Sequence, residues 1–140
     1  MGEKIMDELI AYAVKAREYA YAPYSGFKVG AAVQTKSGRI YSGCNIEDSS
    51  YGLSNCAERT AIFKAVSEGE HQLVAIAVVA DTTEPVSPCG ACRQVMAEFG
   101  IEKIILTNLR GERKIMTLEE ILPFRFAKND IVKDGEKNNE

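Results

Sequence analysis

Three of the four cysteines in this chain lie in two short segments whose spacing suits a metal ion. Cys89 and Cys92 stand at positions i and i+3, which places both sulfur atoms on one face of a helical turn. Together with Cys56 they match the thiolate ligands that tetrahedral zinc prefers. Because three protein ligands leave the fourth coordination position for water, the pattern predicts a catalytic rather than a structural zinc centre.

Each cysteine segment is predicted to open a helix, which has an electrostatic consequence for the sulfur atoms. Ser54 and Asn55 are good N-cap residues, so one helix is expected to begin at Cys56. A second helix is expected to begin at Cys89. The unpaired N–H groups at a helix start carry partial positive charge, which favours the thiolate form of a cysteine.

Three charged residues next to the cysteines are candidates to adjust the metal centre or to use it. Arg59 and Arg93 each follow a motif residue and can donate hydrogen bonds to sulfur through the guanidinium group. Glu58 lies two residues after Cys56 and is predicted to be a neighbour of the metal, not a ligand. A carboxylate there can accept a proton from water and pass it to a leaving group.

The elements that must position these residues follow from hydrophobic periodicity and turn signals. The eight apolar residues from Leu73 to Ala80 predict a central strand covered on both faces. Helices are predicted over residues 4–21, 56–69, 89–99 and 118–122. Strands are predicted over residues 27–35, 39–44, 73–80, 103–107 and 113–116. The turn before the last strand is too short for a parallel crossover, so that pair is predicted to be antiparallel.

Length and composition are those of an ordinary soluble domain. The 140 residues are expected to form one catalytic domain over 1–127 with a flexible, charged C-terminal tail over 128–140. A net charge of -3 gives no electrostatic reason to expect nucleic-acid binding. No apolar run approaches the ~20 residues of a membrane span, and the N-terminus does not read as a signal peptide. A cytoplasmic location is therefore expected, where cysteines stay reduced.

The two cysteine motifs resemble those of a known family. Cys56-Ala57-Glu58, followed by Pro88 to Cys92, is similar to the zinc-dependent nucleoside deaminases, specifically the small cytidine deaminases with three cysteine ligands. The resemblance extends from Tyr24-Ser25-Gly26 through Gly43 to Glu47 and on to Leu122-Pro123. It implies a cytidine-deaminase-like α/β fold, a three-layer α/β/α sandwich with a five-stranded mixed sheet. It also implies one Zn²⁺ per chain and hydrolysis of cytidine and 2′-deoxycytidine to the uridine products and ammonia, with Glu58 as general acid and base.

The resemblance implies roles for further residues, all of them toward a nucleoside. Asn45 and Glu47 match the residues that hold the ribose hydroxyls, and Phe27 matches the residue that lines the pyrimidine face. The backbone at Ala57 is expected to help hold the base, and Glu58 to contact its N3 and amino group.

Members of the resembled family are typically homotetramers in which neighbouring subunits complete each site. Ser49, Tyr51 and Phe126 match positions that can reach across to a neighbouring subunit. The implied partners are therefore a small nucleoside and further copies of this chain, without nucleic acid or membrane.

Other interpretations of the same residues stay open at this point. One is a deaminase of a related compound, such as a blasticidin-like nucleoside, a nucleotide or a polynucleotide base, although the last two branches usually carry a histidine ligand. Another is a non-catalytic zinc protein with four protein ligands. Cys44 is interpreted as a small core residue and His71 as a surface residue, so neither is expected to bind the metal.

Overall fold

The computed structural model describes residues 2–131, which form four helices and five strands, as the periodicity predicts. The helices are α1 (Glu3–Arg17), α2 (Ala57–Ser67), α3 (Gly90–Glu98) and α4 (Leu118–Ile121). The strands are β1 (Val29–Thr35), β2 (Ile40–Cys44), β3 (Leu73–Ala80), β4 (Lys103–Asn108) and β5 (Arg113–Met116). Single 3₁₀ turns lie at Tyr51–Leu53 and Lys128–Asp130.

The strands form one mixed sheet in the order β2-β1-β3-β4-β5. The central strands β3 and β4 pair in parallel, and α3 provides the crossover that a parallel connection needs. The remaining neighbours pair antiparallel, including β4 and β5, as the short turn between them predicts. The predicted five-stranded mixed sheet is therefore confirmed.

Helices cover both faces of the sheet, which confirms the predicted α/β/α sandwich. Side chains along β3 alternate between the faces, as in any strand. Ala75 and Ala77 belong to the apolar cluster that includes α1. Ile76 and Val78 belong to the larger cluster that includes α2 and α3. The two helices that carry the cysteine motifs thus pack on the same face of the sheet.

Two glycines let the helices approach the sheet closely. A Cβ atom at Gly30 would stand 2.0 Å from the carbonyl oxygen of Ala13 in α1. A Cβ atom at Gly43 would stand 2.7 Å from the backbone nitrogen of Ala61 in α2. Real Cβ atoms do not come so near to backbone atoms. The first turns of α2 can therefore pack against β2 only because residue 43 has no side chain.

The first helix and the first strand are shorter than predicted, for reasons of backbone pairing. The helix α1 ends at Arg17, because Tyr21 leaves the helical path to donate its backbone N–H to Asn45 O at 3.0 Å. The strand β1 begins at Val29 because Phe27 binds a side chain instead of a neighbouring strand. The Asn45 amide donates to Phe27 O at 2.7 Å and accepts from Val29 N at 2.9 Å.

The C-terminal prediction is only partly within the described residues. Residues 128–130 form a 3₁₀ turn, and the rest of the predicted tail, 132–140, lies outside the described range. The boundary at residue 127 stays a prediction. Among the described helices, none has the length and apolar character needed to span a membrane.

Candidate active site

The three predicted ligand cysteines meet at the starts of α2 and α3. Cys56 is the N-cap of α2, Cys89 is the N-cap of α3, and Cys92 follows in the first turn of α3. Their sulfur atoms all lie within 4.8 Å of one another. The prediction that Ser54 or Asn55 caps α2 is wrong by one or two residues, because Cys56 itself has the extended backbone of an N-cap.

The sulfur positions fit a tetrahedral zinc ion. With Zn–S bonds of about 2.3 Å, tetrahedral geometry places two ligand sulfurs about 3.8 Å apart. The Cys56 and Cys89 Sγ atoms are 3.8 Å apart. Cys92 is buried, Cys56 is half-buried and Cys89 is exposed, so the cluster opens to solvent on one side. Within residues 2–131, no fourth cysteine, histidine or carboxylate joins this cluster.

The surroundings of the cluster favour the thiolate form of Cys56 over that of Cys92. Hydrogen bonds from the Cys92 thiol and from Arg59 lower the pKa of Cys56 to about 5. The Arg59 guanidinium lies 3.3 Å from Cys56 Sγ, as predicted for a neighbour of the metal ligands. The pKa of Cys92 is raised, because its thiol donates to Cys56 and is buried. A metal ion would replace that shared proton and hold the sulfurs as thiolates.

Arg93 does not contact a sulfur atom, and this part of the prediction is wrong. Its guanidinium donates to Pro88 O at 2.9 Å, to Ser87 Oγ at 2.7 Å and to Ile121 O at 2.9 Å. Each of the three guanidinium nitrogens thus donates to an oxygen atom. Arg93 therefore connects the turn before Cys89 to the end of α4.

Glu58 lies in the first turn of α2 and is buried, with an exposed fraction of 4%. Burial raises the pKa of Glu58 to about 7, and the neighbouring Cys56 thiolate acts in the same direction. A carboxyl group with such a pKa can accept and return protons near neutral pH. Its backbone neighbour Ala57 is fully buried.

The loop before α2 brings the backbone of Asn45 and Glu47 close to the start of α2. Ile46, between them, forms an antiparallel bridge with Asn55, with backbone N–H···O bonds of 2.9 Å in both directions. Asn55 immediately precedes Cys56. Because bridged residues stand only about 5 Å apart, the polar residues of the loop and the start of α2 share one side of the molecule.

Glu47 is held as an acceptor. Its carboxylate accepts the backbone N–H of Tyr24 at 3.0 Å and that of Ser25 at 3.1 Å, and it also accepts the Ser25 hydroxyl. The Ser25 hydroxyl lowers the pKa of Glu47, and the backbone donors act in the same direction. Glu47 is therefore ionised at neutral pH.

A pocket of about 340 Å³ adjoins this carboxylate. Its lining residues are Tyr24, Ser25, Glu47, Tyr51 and Ser54. The rings of Tyr24 and Tyr51 meet edge to face, with centroids 5.9 Å apart. The pocket thus has an aromatic wall and an anionic acceptor, and it is of a size to admit a sugar or a small heterocycle.

The structure brings together only some of the predicted nucleoside-binding residues. Glu47 and Tyr51 line the pocket, whereas the other five do not: Phe27, Asn45, Ser49, Ala57 and Phe126. Phe27 and Phe126 are 45% and 59% exposed. The prediction missed Tyr24, Ser25 and Ser54 as lining residues. Tyr24 and Ser25 belong to the segment that carries the family resemblance, which was the available signal.

On an α/β/α sandwich, three converging thiols beside a buried carboxyl group define a zinc-dependent deaminase. Residues 3–108 match the family model described as the cytidine and deoxycytidylate deaminase zinc-binding region. The chain belongs to this family. Zinc is the metal of the family, and the one cluster of three cysteines found within residues 2–131 supports one Zn²⁺ per chain.

Similar proteins extend over almost the whole chain. A cytidine deaminase of Sporosarcina psychrophila is 57% identical over 128 residues, covering 90% of this chain and 94% of that protein. One of Halalkalibacterium halodurans is 58% identical over 125 residues, covering 88% and 95%. The crystal structure of cytidine deaminase from Burkholderia pseudomallei is 49% identical and has a TM-score of 0.84, covering 90% of this chain and all of that one.

Proposed function

We propose that this chain catalyses the zinc-dependent hydrolytic deamination of cytidine and 2′-deoxycytidine to uridine and 2′-deoxyuridine, with release of ammonia. The observation that carries the proposal is the buried Glu58 beside three sulfur atoms spaced for zinc. The relatives named cytidine deaminase, two of them more than 55% identical over nearly the full chain, support the same activity.

Glu58 is the group that moves protons in this proposal. Zinc, when bound, supplies Lewis-acid activation of a water molecule for addition at C4 of cytosine. Glu58 accepts the proton that this water loses and passes it to N3 of the ring. It then accepts the remaining proton of the same oxygen, by now the hydroxyl at C4, and passes it to the amine, which leaves as ammonia when the C4–N bond breaks. The pKa of about 7 matches a carboxyl group that must both accept and donate a proton in each turnover.

The proposed nucleoside contacts start from groups that the fold holds in place. Glu47 is an ionised acceptor for ribose hydroxyls, and Asn45 keeps one N–H and one acceptor site free after its bonds to Phe27 and Val29. Phe27 is exposed enough to lie against the pyrimidine face. The backbone of Ala57 is proposed to hold the base beside Glu58.

We also propose a homotetramer in which Ser49, Tyr51 and Phe126 complete neighbouring sites. Support comes from apolar side chains that one chain leaves in solvent: Tyr51 is 75% exposed, Leu53 72% and Phe126 59%. Mass measurement in solution by light scattering tests the assembly.

We further propose that residues 1–127 form the single catalytic domain and that the protein acts in the cytosol. The free cysteines suit a reducing compartment.

The decisive experiment is a substrate panel with product identification. Zinc-loaded protein is incubated with cytidine, 2′-deoxycytidine, CMP and adenosine, and the products are separated. We expect conversion of the two cytosine nucleosides and neither of the others. Unchanged cytidine absorbance over hours with zinc present would refute the proposal, and conversion of CMP instead would assign a nucleotide substrate. X-ray absorption showing four sulfurs around the zinc would favour a non-catalytic zinc protein.

A further inference from the structure

The two residues that follow Cys92 both bind the C-terminal part of the chain. Arg93 and Gln94 lie in α3, directly after the last metal-ligating cysteine. Arg93 donates to Ile121 O at 2.9 Å, at the end of α4. Gln94 donates through Nε2 to Phe126 O at 2.8 Å. One turn of helix therefore contacts the C-terminal segment at two points that are five residues apart in sequence.

The same arginine holds the turn that leads into the metal centre. Its Nε donates to Pro88 O and its Nη2 donates to Ser87 Oγ. Pro88 immediately precedes Cys89. Arg93 is half-buried, and its three hydrogen bonds fix the planar guanidinium group. The start of α3 and the end of α4 are thus joined through a single side chain.

Between the two contact points lies a segment that packing alone does not hold. Residues 123–126, here called the aromatic segment, carry Phe124 and Phe126, which are 103% and 59% exposed. Phe124 adopts a φ of 49°, a left-handed conformation that bulky residues rarely occupy. A segment with exposed aromatic rings and a strained residue needs polar anchors to keep one conformation, and Gln94 binds its last residue.

We propose that Arg93 and Gln94 are positioning residues that keep the aromatic segment in register with the metal-ligating turn of α3. Gln94 acts through Phe126, and Arg93 acts through both the Pro88 turn and Ile121. For its effect on catalysis the proposal rests on the proposed function, in which Phe126 contacts a nucleoside. Arg93 and Gln94 then link the metal ligands of a chain to the aromatic ring of Phe126, which the same chain presents to a neighbouring site.

The test begins with Gln94→Met, which keeps the length of the side chain and removes the donor. We expect faster amide exchange in residues 124–127, an unchanged zinc content and a KM for cytidine about 3- to 10-fold higher, with kcat within about twofold. Gln94→Lys retains a donor and is expected to restore part of the lost affinity. The matched control is Gln34→Met, because Gln34 is half-buried, as Gln94 is, and its side chain makes no hydrogen bond within residues 2–131.

A double-mutant cycle with Phe126→Ala separates positioning from general destabilisation. If Gln94 acts through Phe126, adding Gln94→Met to Phe126→Ala changes KM by less than about twofold. A full additional KM increase in the double variant would overturn the proposal. Unchanged amide exchange in the aromatic segment of Gln94→Met would overturn it as well.

The outcomes also distinguish this proposal from the proposed function. Faster exchange in Gln94→Met together with a Phe126→Ala variant of normal KM would retain the positioning contact and remove Phe126 from substrate binding. Absence of any cytidine turnover in the unmodified enzyme would refute the proposed function, while the exchange measurement would still test the contact.

The role of Arg93 is tested by measuring how fast the enzyme loses zinc to a chelator. Arg93→Lys keeps the charge but cannot reach three separate acceptors, so we expect zinc to be lost to a chelator about 3- to 10-fold faster. The control is Arg113→Lys, since Arg113 pairs with Glu3 and Asp7 on α1, away from the metal-bearing helices. Equal zinc release in Arg93→Lys and the unmodified enzyme would remove Arg93 from the proposed role.

Discussion

The metal centre and the pocket beside it are built in different ways. At the metal centre, Cys92 and Ala57 are fully buried and Glu58 is 4% exposed. At the pocket, Tyr51 is 75% exposed. Phe126, which lies outside the pocket and is proposed to act at a neighbouring site, is 59% exposed. The carboxyl group proposed to move protons therefore lies in the core of the chain, whereas most of the side chains proposed to recognise substrate lie on its surface loops.

The difference follows from what holds each region. The first turns of α2 and α3 are part of the main apolar cluster, which also contains the central strand β3. The pocket loop is held by polar contacts, chiefly Glu47 with Tyr24 and Ser25, and Asp48 with Ser54. A core position tolerates little change without loss of stability, while a loop position can change substrate affinity and leave the fold intact.

The largest effect is expected from Cys92→Ala, which removes a ligand and a buried side chain together. We expect loss of stoichiometric zinc and loss of detectable deamination, measured by metal analysis and cytidine turnover. Cys44→Ala is the matched control, because Cys44 lies outside the sulfur cluster and is expected to leave both quantities unchanged. Retention of zinc and turnover in Cys92→Ala would contradict the three-thiolate centre.

Glu47→Gln tests the pocket without disturbing the core. Because the amide removes the anionic acceptor, we expect KM for cytidine to rise by about 10-fold or more, with a smaller change in kcat. The melting temperature should stay close to that of the unmodified protein. A variant that unfolds early, with unchanged KM, would show that Glu47 serves the fold and not the substrate.

Gly43→Ala tests whether the seating of α2 matters to the metal centre. The added methyl group must displace Ala61, so we expect a loss of about 1–3 kcal/mol in the free energy of unfolding and a lower kcat. Gly52→Ala is the control for stability, since a Cβ atom there meets no atom within 4 Å. Equal urea denaturation midpoints for the two variants would contradict close packing at Gly43.

The smallest effect concerns pH. The Ser25 hydroxyl lowers the pKa of Glu47 below its usual 4.5, so the stabilisation from this carboxylate is present above 4.5 and lost as pH falls through the lower folded value. Protonation of Glu47 should therefore cause no rise in KM between neutral pH and about pH 5. Ser25→Ala should move the acid rise in KM to higher pH. If KM rises at the same acid pH in Ser25→Ala as in the unmodified enzyme, Ser25 does not control the charge of Glu47.

Sequence patterns predicted the parts of this molecule that depend on local spacing. The apolar run from Leu73 to Ala80 is a strand with those bounds, and the Cys89/Cys92 spacing places two sulfurs together. The other features depend on tertiary contacts, which local spacing does not predict. Nothing in the local sequence shows that Tyr21 pairs with Asn45, and this pairing ends α1 early.

Arg93 illustrates the same limit at the metal centre. By spacing alone it was equivalent to Arg59, because each follows a cysteine motif. Its direction is decided by the end of α4, almost thirty residues further along the chain, where Ile121 O accepts its hydrogen bond. The lining residues Tyr24 and Ser54 were missed for a related reason, since the pocket forms only where two loops meet.

The most direct test of the account is Glu58→Gln, assayed for zinc content and cytidine turnover in one preparation. Gln has nearly the same size and cannot exchange the proton, so the account predicts full zinc content with kcat lower by about 10²- to 10⁴-fold. A variant that keeps its zinc and retains turnover within a few-fold of the unmodified enzyme would contradict the assignment of Glu58 as the proton-transfer group.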